Sequence, residues 1–457
     1  MMKKLIPALL LCASACAPVP SNTNVATRAA SATEPSSLPP LKSFATSRPS
    51  SSIKSNRDIA RDFLDLAFSL ESGRSLPVLT RIEGPITVST TGQMPGAMSS
   101  DLKRLLHRLR SEARINISHT TAPSANITIN SVNRSEIRKY LPQAACFVVP
   151  NVSTLQEYAK ARRTAQTAWS HLKRRDKIAI FVPNDTTPQE MRDCLHEELA
   201  QALGPLNDLY RLPDSVFNDD NVHAVLTGFD MLVLRAYYDP ALRSGMTKRE
   251  VAAKLPGILA RINPAGAGRA ARHVDSTPRA WIEAVQTALG PGAGHGARRS
   301  AAQKAVKIAG QLGWNDHRRG FSHYANGRVL QSVDSAAAHK QFAMAQRYFA
   351  GRSDYRLYQA YVASQLASFA VAQGRASDAL AIVAPHLDTA TRYENAALLS
   401  TLMLLRAEAL EMSGRVAEGR QVRMDSVGWA RYGFGSDWAV RAKMREIASL
   451  SPARYRN

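Results

Sequence analysis

Apolar and polar positions between residues 56 and 255 alternate between two spacings. Helical spacing marks residues 56–70, 99–112 and 153–174. Apolar runs or strand-like alternation occupy residues 79–82, 86–89, 114–119, 125–132, 145–149 and 177–182. A chain that switches repeatedly between these spacings is typical of an α+β domain, so we expect a mixed sheet that packs on helices.

One helix of this domain has both a start signal and a stop signal. Thr187-Pro188-Gln189-Glu190 is a capping box with proline at the first helical position, and Gly204-Pro205 ends the helix. Glu198 falls in the middle of its apolar face, where a carboxylate is unfavourable unless it is paired or hydrogen-bonded. Glu198 therefore needs a partner, either at a functional site or in a loop that it anchors by hydrogen bonds to backbone amides.

From residue 256 the pattern changes to Ala-rich segments with helical spacing. Helices are expected at residues 279–289, 300–312, 321–331, 336–349, 354–373, 376–387, 393–413 and 416–430. Gly374-Arg375 recurs as Gly414-Arg415, which is the self-similarity expected of a helical repeat. Ala338, Phe342 and Ala345 resemble the small and large positions of a tetratricopeptide unit. We expect residues 256–457 to form a tetratricopeptide-like region that binds a protein or peptide, with an irregular bundle as the alternative.

The first 16 residues have the layout of an export signal. Two lysines precede a short apolar run, and small residues 13–15 precede Cys16. This resembles a bacterial lipoprotein signal, which implies lipidation of Cys16; a plain secretory signal is the alternative. Because Ala17 follows the cysteine, the resemblance implies an outer-membrane lipoprotein that faces the periplasm. Residues 17–55 are rich in Ser, Thr, Pro and Asn and predict a disordered tether.

Export also determines the expected state of two cysteines. Cys146 and Cys194 would enter an oxidising compartment, where a disulfide between them is expected. Two separate buried thiols are the alternative.

Several sequence blocks carry a family resemblance. They run in order through Cys194–Gly204, Asn207-Asp208, Ser215–Asp220 and the segment from Leu226 to Met246, which includes Asp230. Together they resemble domain-of-unknown-function family 2927, found in proteobacterial lipoproteins. The resemblance implies one domain, which we place at residues 56–255, but it implies no mechanism.

A second resemblance is to the zincin metallopeptidases, which carry H-E-x-x-H on a helix. Here Glu197-Glu198-x-x-Gln201-x-x-Gly204-x-x-Asn207-Asp208 keeps the spacing but replaces both histidines. An amide oxygen is a poor zinc ligand, so we expect a zincin-like domain without metal or cofactor. A non-catalytic binding scaffold is the favoured function. A hydrolase that uses Glu198 as general base is the alternative.

Other polar residues near this helix are candidates for binding or for shaping the site. The turn 218–221 is rich in oxygen ligands, which suit calcium, although a plain Asx turn is the alternative. The candidates are Glu197, Gln201, Asn207, Asp208, Asn218, Asp219, Asp220 and Asp230.

The chain is strongly basic, with 59 Lys and Arg against 37 Asp and Glu and a net charge of +22. Residues 241–320 hold fourteen basic and four acidic residues, which predicts an anionic envelope partner or a solvated basic surface. Nucleic acid is not expected for an exported protein. The sequence has no Gly-rich phosphate-binding loop and no internal apolar run of membrane-spanning length.

Overall fold

The computed structural model describes residues 38–44, 52–122 and 124–452, which belong to one compact unit. The predicted signal peptide 1–16 with Cys16, and most of the predicted tether, lie outside these residues. Residues 38–44 differ from a disordered tether. Phe44 is 5% exposed and stacks on Trp429 at 4.6 Å between ring centroids. The Lys42 amide also donates to the Gly428 carbonyl at 3.1 Å, so an aromatic contact and a backbone hydrogen bond together hold this segment.

The first half of the chain contains a five-stranded mixed sheet. Its strands are β1 (Ile86–Gly92), β2 (Ile117–His119), β3 (Ile127–Val132), β4 (Phe147–Pro150) and β5 (Ile178–Pro183). The strand order is β2-β1-β3-β5-β4, and every neighbouring pair is parallel except β4 with β5. The antiparallel strand β4 is therefore an edge of the sheet.

Seven helices accompany this sheet. They are α1 (Asn56–Ala67), α2 (Gly96–Ser111), α3 (Arg134–Arg138), α4 (Leu155–Ala161), α5 (Pro188–Leu203), α6 (Gly228–Tyr237) and α7 (Lys248–Ile262). The predicted domain boundary at residues 255/256 falls inside α7, which packs on α1. The expected α+β architecture of this half is thus present.

Two predicted elements of this half differ in the structure. Residues 79–82 do not join the sheet, because the Leu79 amide donates to the Met246 carbonyl (2.8 Å) in a neighbouring loop. Of the helix expected over 153–174, the α-helical part is Leu155–Ala161. Two short 3₁₀ turns, Ala165–Thr167 and Trp169–His171, follow it. Here the contacts with other segments override the local pattern.

Helix α5 begins and ends where its sequence signals predict. The Thr187 hydroxyl accepts the Glu190 amide at 3.1 Å, whereas the Glu190 carboxylate accepts the Thr186 hydroxyl, so the predicted capping box is only half formed. A Cβ on Gly204 would lie 2.9 Å from ring atoms of Tyr237, so the residue after the helix must be glycine. The buried guanidinium of Arg175 donates to the carbonyls of Gln201, Ala202 and Gly204, which satisfies the negative end of the helix.

The second half of the chain is all-α. It comprises α8 (Arg279–Leu289), α9 (His295–Gln311), α10 (His317–Leu330), α11 (Ser335–Phe349), α12 (Arg356–Ala372), α13 (Ala376–Val383), α14 (Leu387–Arg392), α15 (Ala396–Met412), α16 (Val416–Phe434) and α17 (Asp437–Ala448). From α8 to α13, each helix packs on the next along the chain. None of the described helices is both long enough and apolar enough to cross a bilayer.

The two recurring Gly-Arg turns have the same geometry. Gly374 and Gly414 have φ of 74° and 78°. The amides of Arg375 and Arg415 each donate to a carbonyl five residues earlier, at 2.9 Å in both turns. This is the hydrogen bond of a Schellman motif, which requires a left-handed residue after the helix. Identical turns explain the 40-residue recurrence of the dipeptide.

Helix α5 also contacts the second half of the chain. Arg192 donates to the Glu394 carbonyl at 2.5 Å, and the Gln189 side chain accepts the Ala397 amide at 3.0 Å. The Tyr432 hydroxyl of α16 donates to Asp101 of α2. The best-marked helix of the sequence is therefore enclosed by both halves.

Replacing Arg175 with methionine should lower the free energy of unfolding by about 3 kcal/mol, because buried carbonyls at the end of α5 lose charged donors. Denaturant unfolding measures this loss. The matched control is Arg174→Met, since Arg174 is 59% exposed and pairs with an exposed Asp176. Equal stabilities of the two variants would contradict this role for Arg175.

Candidate functional site

A cleft of about 1390 Å³ lies between the mixed α/β half and the helical half. Helix α5 contributes Glu197, Glu198 and Gln201 to its lining. The loop after α5 contributes Asp208, and the turn 219–222 adds further residues. The structure thus brings together six of the candidate residues from the sequence: Glu197, Glu198, Gln201, Asp208, Asp219 and Asp220.

Four carboxyl groups form the acidic cluster of this cleft: Glu71, Glu197, Glu198 and Asp208. Glu198 is 5% exposed, and its Oε2 atom has no hydrogen-bond partner. Asp208 Oδ1 is buried without a partner as well. The expected alternative, in which Glu198 anchors a loop through backbone amides, finds no support, since no amide reaches Oε2 in the described chain.

Burial and mutual repulsion keep protons on this cluster. Burial raises the pKa of Glu197 to about 7, with Glu71 and Asp219 adding repulsion. Burial also raises the pKa of Glu198 well above its ordinary value, and Glu197 adds to the effect. The pKa of Asp208 is raised in the same way. Repulsion from Glu71 and Glu197 adds to the effect of burial on Asp208.

In the described residues, the acidic cluster is not paired with a cation; Arg328 also lines the cleft, but its guanidinium donates to the Tyr324 hydroxyl. Among the described residues, none of its four carboxylates forms a salt bridge, although the chain carries 59 Lys and Arg. Of the four, Glu198 is buried, Glu197 and Asp208 are half-buried, and Glu71 is exposed. A buried carboxylate is normally paired or hydrogen-bonded, so the unpartnered Glu198 beside three further carboxylates indicates a functional site. Within the described ranges, no three His, Cys, Asp or Glu side chains are grouped to hold a metal ion.

Aromatic residues and a strand edge form the walls of the cleft. Trp169 and Tyr210 line the cleft on the first half, and Phe321, Tyr324 and Tyr361 line it on the second. Residues 146–148, at the start of the edge strand β4, also line it. The cleft therefore offers carboxylates, aromatic faces and the backbone of a sheet edge to one ligand.

A disulfide between Cys146 and Cys194 joins β4 to α5, as the sequence predicted. Their Cα atoms are 5.9 Å apart, and 48 positions separate them along the chain. The bond fixes the cleft-lining start of β4 relative to the helix that carries the carboxylates. Closing a loop of this length stabilises the fold by about 4 kcal/mol in the chain-entropy model.

Three sequence candidates have structural roles away from the cleft lining. The Asn207 side chain donates to the Asp65 carbonyl at 2.9 Å. The Asn218 side chain donates to the Leu212 carbonyl at 2.7 Å. Asp230 forms a capping box with Thr227 at the start of α6 and also accepts the Val216 amide at 3.1 Å. These residues shape the loops around the site.

The acidic turn 218–221 is held by protein donors. Asp220 accepts the Val222 amide at 3.0 Å, which is the hydrogen bond of an Asx turn, and also the Tyr358 hydroxyl. Asp219 accepts hydrogen bonds from the Tyr210 hydroxyl at 3.0 Å and from the side-chain amide of Gln286 at 2.9 Å. The two hypotheses for residues 218–221 are a calcium site and a plain Asx turn, and these hydrogen bonds fit the Asx turn.

Sequence reasoning missed Glu71. It lies in the loop after α1, more than a hundred positions before α5, and no motif surrounds it. Only the folded chain places it beside Asp208. A local pattern cannot signal a residue that joins its site through a distant loop.

One protein family matches part of the chain. Residues 56–257 match the family model described as a protein of unknown function (DUF2927). This confirms the family resemblance of the first half and brings no activity with it. No curated protein and no solved structure gives a match.

Replacing Glu197 with glutamine should flatten the dependence of thermal stability on pH. Folding raises the pKa of Glu197 from 4.5 to about 7, so the folded state retains a proton that the unfolded state has lost. The resulting stability is complete below pH 4.5 and is lost as pH rises through about 7. Melting temperatures of the wild type should therefore fall from about pH 6 to about pH 8, and less in the variant.

The matched control for this measurement is Glu418→Gln, since Glu418 is exposed in α16 and pairs with the exposed Arg415. Its pKa is lowered by that arginine, so it does not titrate in this range. Parallel curves for the wild type and Glu197→Gln would contradict the raised pKa.

Proposed function

We propose that the cleft binds a positively charged segment of a polypeptide and that the protein is a non-catalytic binding scaffold. The observation that carries this proposal is the acidic cluster, whose carboxylates lack a cationic partner in the described chain. A lysine or arginine side chain of a ligand supplies the missing charge and the missing donors. The aromatic walls favour the same ligand, because cations bind over aromatic faces.

The sheet edge in the cleft favours an extended peptide. Strand β4 is the sheet edge, and residues 146–148 at its start line the cleft. A peptide that adds to such an edge gains backbone hydrogen bonds and directs alternate side chains into pockets. Its basic side chains would then reach Glu197 and Glu198.

We also infer a zincin-like scaffold for the first half and a tetratricopeptide-like one for the second. An antiparallel edge strand beside the helix that carries Glu198 supports the first inference. Sequential helix packing, with Ala338, Phe342 and Ala345 fully buried, supports the second. Both scaffolds present a groove to a peptide or protein partner.

A hydrolase is the second candidate, favoured by one specific observation. Glu197 has a pKa of about 7 and lies beside the unpartnered Glu198. A carboxyl group that titrates near neutral pH can act as general acid or base. In this alternative Glu198 is the general base that activates water once it has lost its proton, and Glu197 is the neighbour that titrates near neutral pH.

We place the protein in the bacterial envelope, as an outer-membrane lipoprotein anchored through Cys16 and facing the periplasm. The Cys146–Cys194 disulfide supports an oxidising compartment. Exposed basic residues of segment 241–320, among them Arg249, Lys254 and Arg299, would contact an anionic envelope component. Others of that segment serve the fold, since Arg318 is 1% exposed and pairs with Asp316.

A short peptide of alternating lysine and alanine should bind, whereas its glutamate–alanine counterpart should not. Glu198→Gln should weaken binding by about tenfold, because a charge-assisted contact is lost. The control Glu418→Gln should bind as the wild type does. Isothermal titration calorimetry makes the comparison. Equal binding of both peptides, or unchanged affinity of Glu198→Gln, would contradict the proposal.

Mass spectrometry of the same mixtures separates the binding protein from the hydrolase. We expect the lysine–alanine peptide to stay intact during long incubation with the wild type. Cleavage by the wild type that is absent with Glu198→Gln would overturn the non-catalytic proposal and establish Glu198 as the base.

Cys16→Ser should abolish lipid attachment. In cells supplied with labelled palmitate, the wild type should take up label and sediment with outer membranes, whereas the variant should remain unlabelled. Unlabelled wild type, or equal fractionation of both proteins, would contradict the lipoprotein assignment.

A further inference from the structure

A second pocket, of about 520 Å³, lies on another face of α5. Arg192 and His196 of α5 line it together with residues of α2, among them Arg104 and Arg108. Successive residues of a helix are 100° apart, so His196 and Glu198 point in nearly opposite directions. This basic pocket is therefore distinct from the acidic cleft.

Two buried guanidinium groups in the basic pocket have unused donors. Arg108 is 6% exposed, and its Nε and Nη2 atoms donate to Glu112 and to the Leu226 carbonyl. Its Nη1 atom has no partner. Arg192 is 1% exposed and donates to the Glu394 carbonyl through Nη2, whereas its Nε atom is unpartnered. Buried donors without acceptors are rare in proteins, so these two need an explanation, and a bound anion would supply one.

The imidazole of His196 provides a third donor. Its Nδ1 atom accepts the Leu226 amide at 3.1 Å, so the proton of the neutral ring lies on Nε2. Burial and the charges of Arg108 and Arg192 hold the pKa of His196 well below 6.5, which keeps the ring neutral. The ring thus offers a fixed N–H group beside two guanidinium groups.

The balance of charges in the pocket is positive. Five basic side chains line it, and three of them already have carboxylate partners, namely Arg104 with Asp101, Arg108 with Glu112 and Arg192 with Glu394. Lys103 and Arg110 remain as unneutralised charges at its exposed edge. The carboxylates orient the guanidinium groups and leave a positive excess for a ligand.

We propose that this pocket binds a small organic anion through a carboxylate or phosphate group, with Arg108, Arg192 and His196 as its donors. A guanidinium group matches the paired oxygens of either anion, and the neutral imidazole adds one directed hydrogen bond. The pocket is larger than an isolated anion and has the size of a site for a small molecule. The inference does not depend on the proposed peptide function, which concerns the other face of α5.

Titration calorimetry with inorganic phosphate and with succinate tests the site in the exported protein. We expect at least one of these anions to bind, and the tighter one identifies phosphate or carboxylate as the natural group. Arg108→Gln should weaken binding by about tenfold. Arg104→Gln serves as a second variant, because Arg104 is 29% exposed and makes fewer structural contacts. It should weaken binding by about threefold through lost charge.

The matched control is Arg163→Gln, which removes one exposed charge outside the pocket. It should bind the anion as the wild type does. Failure of both anions to bind at millimolar concentration would overturn the proposal. Binding that is unchanged in the two pocket variants, or weakened equally in the control, would also overturn it.

Discussion

Helix α5 is fixed at several points, and both candidate sites depend on that fixation. The disulfide at Cys194 ties it to β4, Arg175 binds its last carbonyls, and Arg192 joins it to Glu394. Capping by Thr187 fixes its first turn. Because the helix cannot shift toward solvent, Glu198 remains buried although its Oε2 atom finds no partner. The contacts that fix α5 thus keep the Glu198 carboxyl group buried, although burial without a partner is unfavourable.

The two faces of α5 carry opposite charge. Glu197 and Glu198 face the cleft, whereas Arg192 and His196 face the basic pocket. In a chain of net charge +22, the acidic cluster is a local exception that the rest of the surface does not neutralise. Charge interactions weaken with distance and are screened by salt, so nearby side chains affect the pKa of these carboxyl groups more than the net charge of the chain does. The proposed selectivity for a cationic ligand would therefore arise in the cleft itself.

Much of the fold could be predicted because its signals are local. The capping box and Gly204 defined α5, and the recurring Gly-Arg turns indicated the helical half. The motif spacing placed Glu197, Glu198 and Asp208 in one site. The spacing could not show that Asn207 and Asp230 lie away from the cleft lining, because their contacts with Asp65 and Val216 depend on distant segments.

The remaining features arise from contacts between distant segments. Arg175 was one basic residue among many until the fold placed it at the end of α5. Glu71 reaches the acidic cluster from a loop, and Arg108 reaches His196 through the backbone of Leu226. No periodicity or motif marks such residues, because their role depends on which segments meet. The burial of Phe44 beside a Ser- and Pro-rich stretch has the same origin.

The number of protons released on binding tests the central claim most directly. If a cationic peptide replaces protons on the acidic cluster, its binding enthalpy near pH 7 must vary with the ionisation enthalpy of the buffer. We predict a net release of protons to the buffer, lost when Glu197 and Glu198 are both replaced by glutamine. Binding with no proton release, or with release unchanged in the double variant, would contradict the claim that these carboxylates form the cation site.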